Sequence, residues 1–221
     1  MSDRDADRRR TWRALALVAA ASLVLWIPRE SLAGPATDQV KATVDQVIKI
    51  LTDPALKGDQ KAQERRAKLR QVVLQRFGFN EMAKRSLGVY WSERTAQERA
   101  EFVKLYTDLL ERAYVDRIEG YTGEKILYTG EAVDGSYSEV RSKIVTKKSQ
   151  EVPIVYRLVK NDANWEVYDI LIEGVSLVNN YRAQFSKIIR TSSYEDLVKK
   201  MHAKLEGEEA VEIGAPKPKV R

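Results

Sequence analysis

The chain has 221 residues, no cysteine, one histidine, and 38 Lys+Arg against 32 Asp+Glu, for a formal net charge of +6. Disulfide frameworks, thiolate metal sites, cysteine nucleophiles, cysteine-linked lipid anchors and multi-histidine metal sites are excluded. A charge of +6 is modest for a nucleic-acid binder, and 43% hydrophobic with 32% charged residues fits one folded domain with a well-solvated surface.

Residues 1–33 predict a cleaved secretory signal peptide. Arg8, Arg9, Arg10 and Arg13 precede an apolar run from Ala14 to Ile27, Pro28 breaks it, and Ser31 and Ala33 supply the small residues for cleavage after Ala33. The run is shorter than the roughly 20 residues a membrane-spanning helix needs. The arginine run fits a twin-arginine signal only loosely, so the general secretory route is the better fit. Without this segment the net charge is +4, and an exported, cysteine-free chain points to a periplasm.

Val40, Val44, Val47, Ile48 and Leu51 predict a first amphipathic helix, stopped by Asp53-Pro54. Leu69, Val72, Val73 and Phe77 predict a second ending at Gly78, and Phe79, Met82, Ala83 and Leu87 a short third closed by Gly88. Thr95-Ala96-Gln97-Glu98 is a capping box, opening a long helix whose Phe102, Leu105, Tyr106, Leu109, Leu110, Ala113 and Tyr114 recur at helical spacing up to Gly120.

The period then changes to two. Lys125–Thr129 reads as a strand, Asp134-Gly135 as a hairpin turn, and Val140, Ser142, Ile144 and Thr146 as the inward positions of a second strand. Val152, Ile154, Tyr156 and Leu158 alternate in a third, where Pro153 suggests an edge or a bulge. Trp165–Ile172 is apolar on both parities, as in a strand covered on both faces. Helices return with Leu177, Tyr181, Phe185 and Ile188, and with Tyr194, Leu197, Val198, Met201 and Leu205 behind a Ser192–Glu195 capping pattern. The predicted class is α+β: a curved antiparallel four-stranded sheet packed on one face by several helices, with an apolar cavity between them. One domain is expected over 34–206 and a disordered tail over 207–221.

Catalytic groups are scarce. His202 reads as a solvated surface histidine. Gly174-Val175-Ser176 lacks the second glycine of a nucleophile elbow, so Ser176 is better read as a helix cap. Asp169, in an apolar strand, is either a structural acid or the base of a cavity enzyme with tyrosine partners. Arg182, Lys187 and Arg190 read as solvated helix charges, with headgroup or partner attraction as the alternative.

Three blocks carry more than periodicity: Arg76-Phe77-Gly78-Phe79-Asn80-Glu81-Met82-Ala83-Lys84, Leu87-Gly88-Val89-Tyr90-Trp91, and Trp165-Glu166-Val167-Tyr168-Asp169-Ile170 with Glu173-Gly174-Val175-Ser176-Leu177 and Ile189-Arg190-Thr191. With them the chain resembles the periplasmic phospholipid-binding family of the Mla pathway, also called the toluene tolerance or Ttg2D family, over about residues 36–206. The resemblance implies a periplasmic carrier rather than an enzyme, with no cofactor and no metal. Its cargo would be phospholipid, moved between an outer-membrane lipoprotein complex and an inner-membrane ABC transporter complex with its membrane-anchored substrate-binding subunit. A hopanoid is the alternative cargo, and a lipid-free adaptor or an Asp169 enzyme the alternative classes. On this reading the cavity is expected to be lined by Val140, Ile144, Val152, Ile154, Tyr156, Leu158, Tyr168 and Ile170 from the sheet, faced by Phe79, Leu105, Leu109 and Tyr181.

Overall fold

The computed structural model describes residues 34–207 and 213–215; the expected signal peptide lies outside them. The described residues form helices α1 (Pro35–Thr52), α2 (Ala62–Arg76), α3 (Phe79–Leu87) and α4 (Ala96–Glu119). Strands β1 (Lys125–Asp134), β2 (Tyr137–Val145), β3 (Glu151–Asn161), β4 (Asn164–Ile172) and β5 (Val175–Ser176) follow, then α5 (Leu177–Thr191) and α6 (Tyr194–Glu206). All neighbouring strands pair antiparallel in chain order. The sheet therefore has five strands rather than the expected four, the fifth being a two-residue strand on the edge of β4.

Register shifts in β1 between Tyr128 and Gly130, and in the β3–β4 pair after Arg157, mark bulges that bend and twist the sheet. Pro153 is in a central strand, not at an edge: it pairs with Lys143 of β2, while β4 joins β3 only from Ile154 onward. Its missing N–H falls near the strand start, where proline is tolerated.

Two separate cores hold the layers together. One lies among α3, α4, α5 and α6, where Phe102, Tyr106, Tyr181 and Phe185 are fully buried. Their rings meet edge-on, stacked or tilted, with Tyr106 and Tyr181 centroids 5.5 Å apart, and Ser86 donates to the Tyr106 hydroxyl at 2.8 Å. The other joins the first half of α1 to the sheet through Ala36, Val40, Val140, Leu158, Trp165 and Val167. On the opposite sheet face Arg157 pairs with Glu139 at 2.8 Å and Lys143 with Glu151 at 2.7 Å, as the alternation of an antiparallel sheet with one wet face requires.

Helix ends are closed by side chains. The Thr95–Glu98 capping box forms at α4. At α6 the cap is Ser193, which accepts from the Asp196 amide, one residue later than the Ser192 pattern expected. Beyond α6, Ile213 is buried in the helical core, and Gly214 is held by Gln184 at both its N–H and its carbonyl and by Asn180 at the carbonyl.

Candidate functional site

Between the two cores lies an apolar pocket of about 540 Å³, within the ~300–1,000 Å³ typical of small-ligand sites. Its walls are the second half of α1 (Val44, Val47, Ile48, Leu51), α2 (Leu69, Val73, Leu74), the outer face of α4 (Leu110, Tyr114, Val115, Ile118) and the sheet (Ile126, Ile144, Val152, Ile154, Tyr156, Val167, Ile170, Ile172). Phe77, Phe79, Met82 and Leu177 close the inner end. Leu74, at 46% exposure, and the solvent-facing Arg66 and Arg117 mark the mouth.

Of the expected lining residues, Phe79, Ile144, Val152, Ile154, Tyr156 and Ile170 do line this pocket. The others do not, for three reasons. Leu105, Leu109 and Tyr181 belong to the helical core, because α4 has two apolar faces and the stripe through Phe102, Leu105, Tyr106 and Leu109 turns toward α3, α5 and α6. Val140 and Leu158 share the parity of Ile144 and Ile154, but lie at the end of the sheet that Ala36 and Val40 cover. Tyr168 is separated from Ile170 by the β4 bulge and turns to the other face, where it meets Tyr137 edge-on at 6.0 Å with the Arg85 guanidinium 4.2 Å above its ring.

Sequence reasoning missed the walls from α1 and α2. The α1 stripe was legible as a helix, but its division was not: Ala36 and Val40 are buried, while Val44 to Leu51 are only half covered. That half-exposure is the signature of a wall.

The rim is charged and largely self-neutralised. Arg65 and Arg66 of α2 both reach Glu119 of α4 at 2.7 Å, Arg66 also reaches Asp116 at 3.0 Å, and Arg70 pairs with Asp108 at 2.8 Å and with Glu111. Burial works to raise the Glu119 and Asp108 pKa values, but the arginine and lysine hydrogen bonds and charges prevail and hold both below the ordinary carboxylate range. Arg76 sits deeper, donating to Gln39 at 2.5 Å and to the Trp165 carbonyl at 2.8 Å; desolvation lowers its pKa against the raising effect of Glu166. Burial pushes the Tyr156 hydroxyl up to about 12, so it stays protonated.

Asp169 has no place in this pocket. Its carboxylate accepts from the Ser176 hydroxyl at 2.6 Å and from the Val178 amide at 3.1 Å, capping α5, with Arg157 3.7 Å away. Ser176 in turn accepts from the Asn179 amide at 3.0 Å. Glu173 and Gly174 take φ of 52° and 79°, as in the mirror-image turns that join tight hairpins. The Tyr-Asp to Glu-Gly-Val-Ser block thus builds the strand-to-helix corner beside the pocket. His202 is exposed, 3.6 Å from Glu101. Among the described residues, no cluster of acids and histidine is arranged to hold a metal, and no helix is long and apolar enough to cross a membrane.

The chain and its fold have counterparts among known proteins. The family model described as MlaC protein matches residues 41–203. The chain belongs to the MlaC family. Among relatives of this MlaC-family chain, the intermembrane phospholipid transport system binding protein MlaC of Haemophilus influenzae is 25% identical over 120 residues, covering 52% of this chain and 56% of the relative. The chain is thus matched to little more than half of that relative's length. A phospholipid-binding protein from Ralstonia solanacearum, solved in complex with a phospholipid, superposes with a TM-score of 0.68 at 26% identity, covering 77% of this chain and 97% of that one.

Proposed function

We propose that this MlaC-family chain is a periplasmic lipid carrier that buries the acyl chains of a phospholipid in the pocket between α1, α2, α4 and the sheet. The observation that carries the proposal is the apolar pocket of about 540 Å³ in a chain that superposes on a protein solved with phospholipid. Each methylene removed from water contributes about 0.8 kcal/mol. A dozen buried groups give on the order of 10 kcal/mol before ordering costs, enough for micromolar or tighter binding.

The carrier would leave the membrane face of one envelope complex and deliver to another: an outer-membrane lipoprotein complex on one side, an inner-membrane ABC transporter complex on the other. Export by the segment 1–33, with release after Ala33, is part of the same proposal. Extraction of the purified exported protein with organic solvent, followed by mass spectrometry, tests it. Stoichiometric phospholipid is the expected result. A polycyclic lipid would replace the cargo but keep the carrier, and a consistently lipid-free protein that takes up no phospholipid from vesicles would overturn the reading.

A further inference from the structure

Glu131 in β1 carries a buried carboxylate, 2% exposed, that lies against the first turn of α1. Its Oε2 accepts the Thr37 amide at 2.7 Å. Both of its oxygens also crowd Gly34, the N-cap of α1: a Cβ placed there would stand 2.5 Å from Oε1 and 2.9 Å from Oε2. The carboxylate thus fills the space that an N-cap side chain ordinarily takes, and a larger residue at 34 would push it away. One backbone N–H is little compensation for a buried carboxylate, which calls for a cation or several hydrogen bonds. Among the described residues no lysine, arginine or histidine forms a salt bridge with Glu131; Arg141 on the neighbouring strand shares the parity of Glu139 and Lys143, on the other face of the sheet.

Position 34 is also the first residue of the exported chain when the segment 1–33 is released after Ala33. Hydrolysis of the Ala33–Gly34 bond adds one water, leaves a carboxylate on Ala33 and an amine on Gly34, and the amine takes up a proton. That ammonium is bonded to the Cα whose Cβ position is 2.5 Å from Glu131. At a helix N-terminus a positive charge is ordinarily disfavoured, because the backbone N–H groups already supply partial positive charge there. A carboxylate beside it reverses that preference, and the burial of Glu131 limits the solvent screening that makes surface pairs weak.

We propose that Glu131 is the binding site for the α-ammonium created at Gly34 by release of the signal segment. The proposal rests on the export reading and adds a consequence to it. The uncleaved chain carries a neutral amide at Gly34, so the pair cannot form before release. Cleavage then fastens α1 to β1 by its capping residue, just ahead of the contacts of Ala36 and Val40 with the sheet. Because α1 goes on to form a wall of the pocket, the fastening of that wall is completed in the exported protein.

The test uses the full exported protein, whose intact mass shows where the chain begins. The pH dependence of α-amine labelling by acetic anhydride, read by peptide mass spectrometry, follows its protonation. A paired ammonium should titrate about one pH unit above the ordinary range of ~7.7–8.0, a roughly tenfold tighter hold on its proton. Glu131→Gln keeps an oxygen for the Thr37 amide and removes the charge, and should return the amine to that range. Asp38→Asn, exposed and in the same turn, should leave it raised. A chain made to begin at Ala33 should melt about 2–4 °C lower, and that difference should vanish in Glu131→Gln. An α-amine in the ordinary range, or equal melting of the two chains, overturns the pairing. The comparison of the two chain starts needs no substitution, so it decides the matter even where Glu131→Gln fails to fold. A mass that begins elsewhere overturns release after Ala33 and the pairing with it, and leaves lipid carriage standing.

Discussion

Arg66 on α2 places its guanidinium 2.7 Å from the Glu119 carboxylate on α4, joining one wall of the pocket to the other. Arg65 meets the same carboxylate from beside it. α2 itself packs on α1, so this ion-pair ladder, continued by Arg70 with Asp108 and Glu111, is what spaces the two walls. Glu119→Gln removes the negative charge that Arg65 and Arg66 share and leaves Arg66 only Asp116 as an ionised partner. We expect a loss of roughly 1–2 kcal/mol in denaturant unfolding, together with faster exchange of bound lipid in a vesicle-transfer assay. Unchanged stability and exchange would show that the ladder is ornamental.

The same pairs set an acid limit. Glu119 and Asp108 are held below their ordinary values of 4.5 and 3.8 in the folded chain. A depressed folded pKa contributes stability that is complete above the unfolded value and lost as pH falls through the folded one. The thermal midpoint should therefore be level at neutral pH and fall below about pH 4.5, and Glu119→Gln should make that fall shallower. A midpoint independent of acid would contradict the assignment.

Glu131 in β1 accepts the Thr37 amide at 2.7 Å and is itself only 2% exposed. It caps α1, whose own N-cap, Gly34, has no side chain for the purpose. Glu131→Ala should cost about 1–2 kcal/mol, from a lost charge-assisted bond and lost helix-end stabilisation. Calorimetry on the variant checks this, and a shift inside experimental error counts against the cap.

Wall and core residues should differ in their response to truncation. Leu158 is 0% exposed in a packed cluster, and Leu158→Ala should cost about 2–5 kcal/mol. Ile144 is half-buried on the pocket wall, has fewer neighbours to lose, and on truncation to alanine should cost about 1 kcal/mol or less while weakening lipid binding. Equal destabilisation at both positions would mean that the pocket is packed in solution.

Ile213 is 1% exposed within the helical core, and Gly214 is clamped by Gln184. Ile213→Ala should cost about 2–4 kcal/mol, read by chemical denaturation, and a neutral effect would show the anchor to be weak.

Much of this fold was legible because period and capping agree locally. The Thr95 box, the hairpin at Gly135 and the two-residue alternation of β2 and β3 each depend on neighbours in the chain. What sequence could not show depends on partners far along it. The parity of Tyr168 against Ile170 is decided by a bulge, which leaves no mark in an alternating pattern. The division of α4 between core and pocket depends on where α2 stands, and a wide apolar stripe does not say which edge meets ligand. Ile213 lies in a segment whose charged and proline-rich surroundings mask a single buried anchor.

Helix α1 is fastened to the sheet at Ala36 and Val40 and borders the pocket from Val44 to Leu51. Over its 18 residues, about 27 Å, one helix passes from core element to pocket wall, and it also packs on α2. Stability and pocket shape are therefore carried by different stretches of the same helix, so that substitutions from Val47 to Leu51 change the wall while the contacts of Ala36 and Val40 with the sheet stay in place.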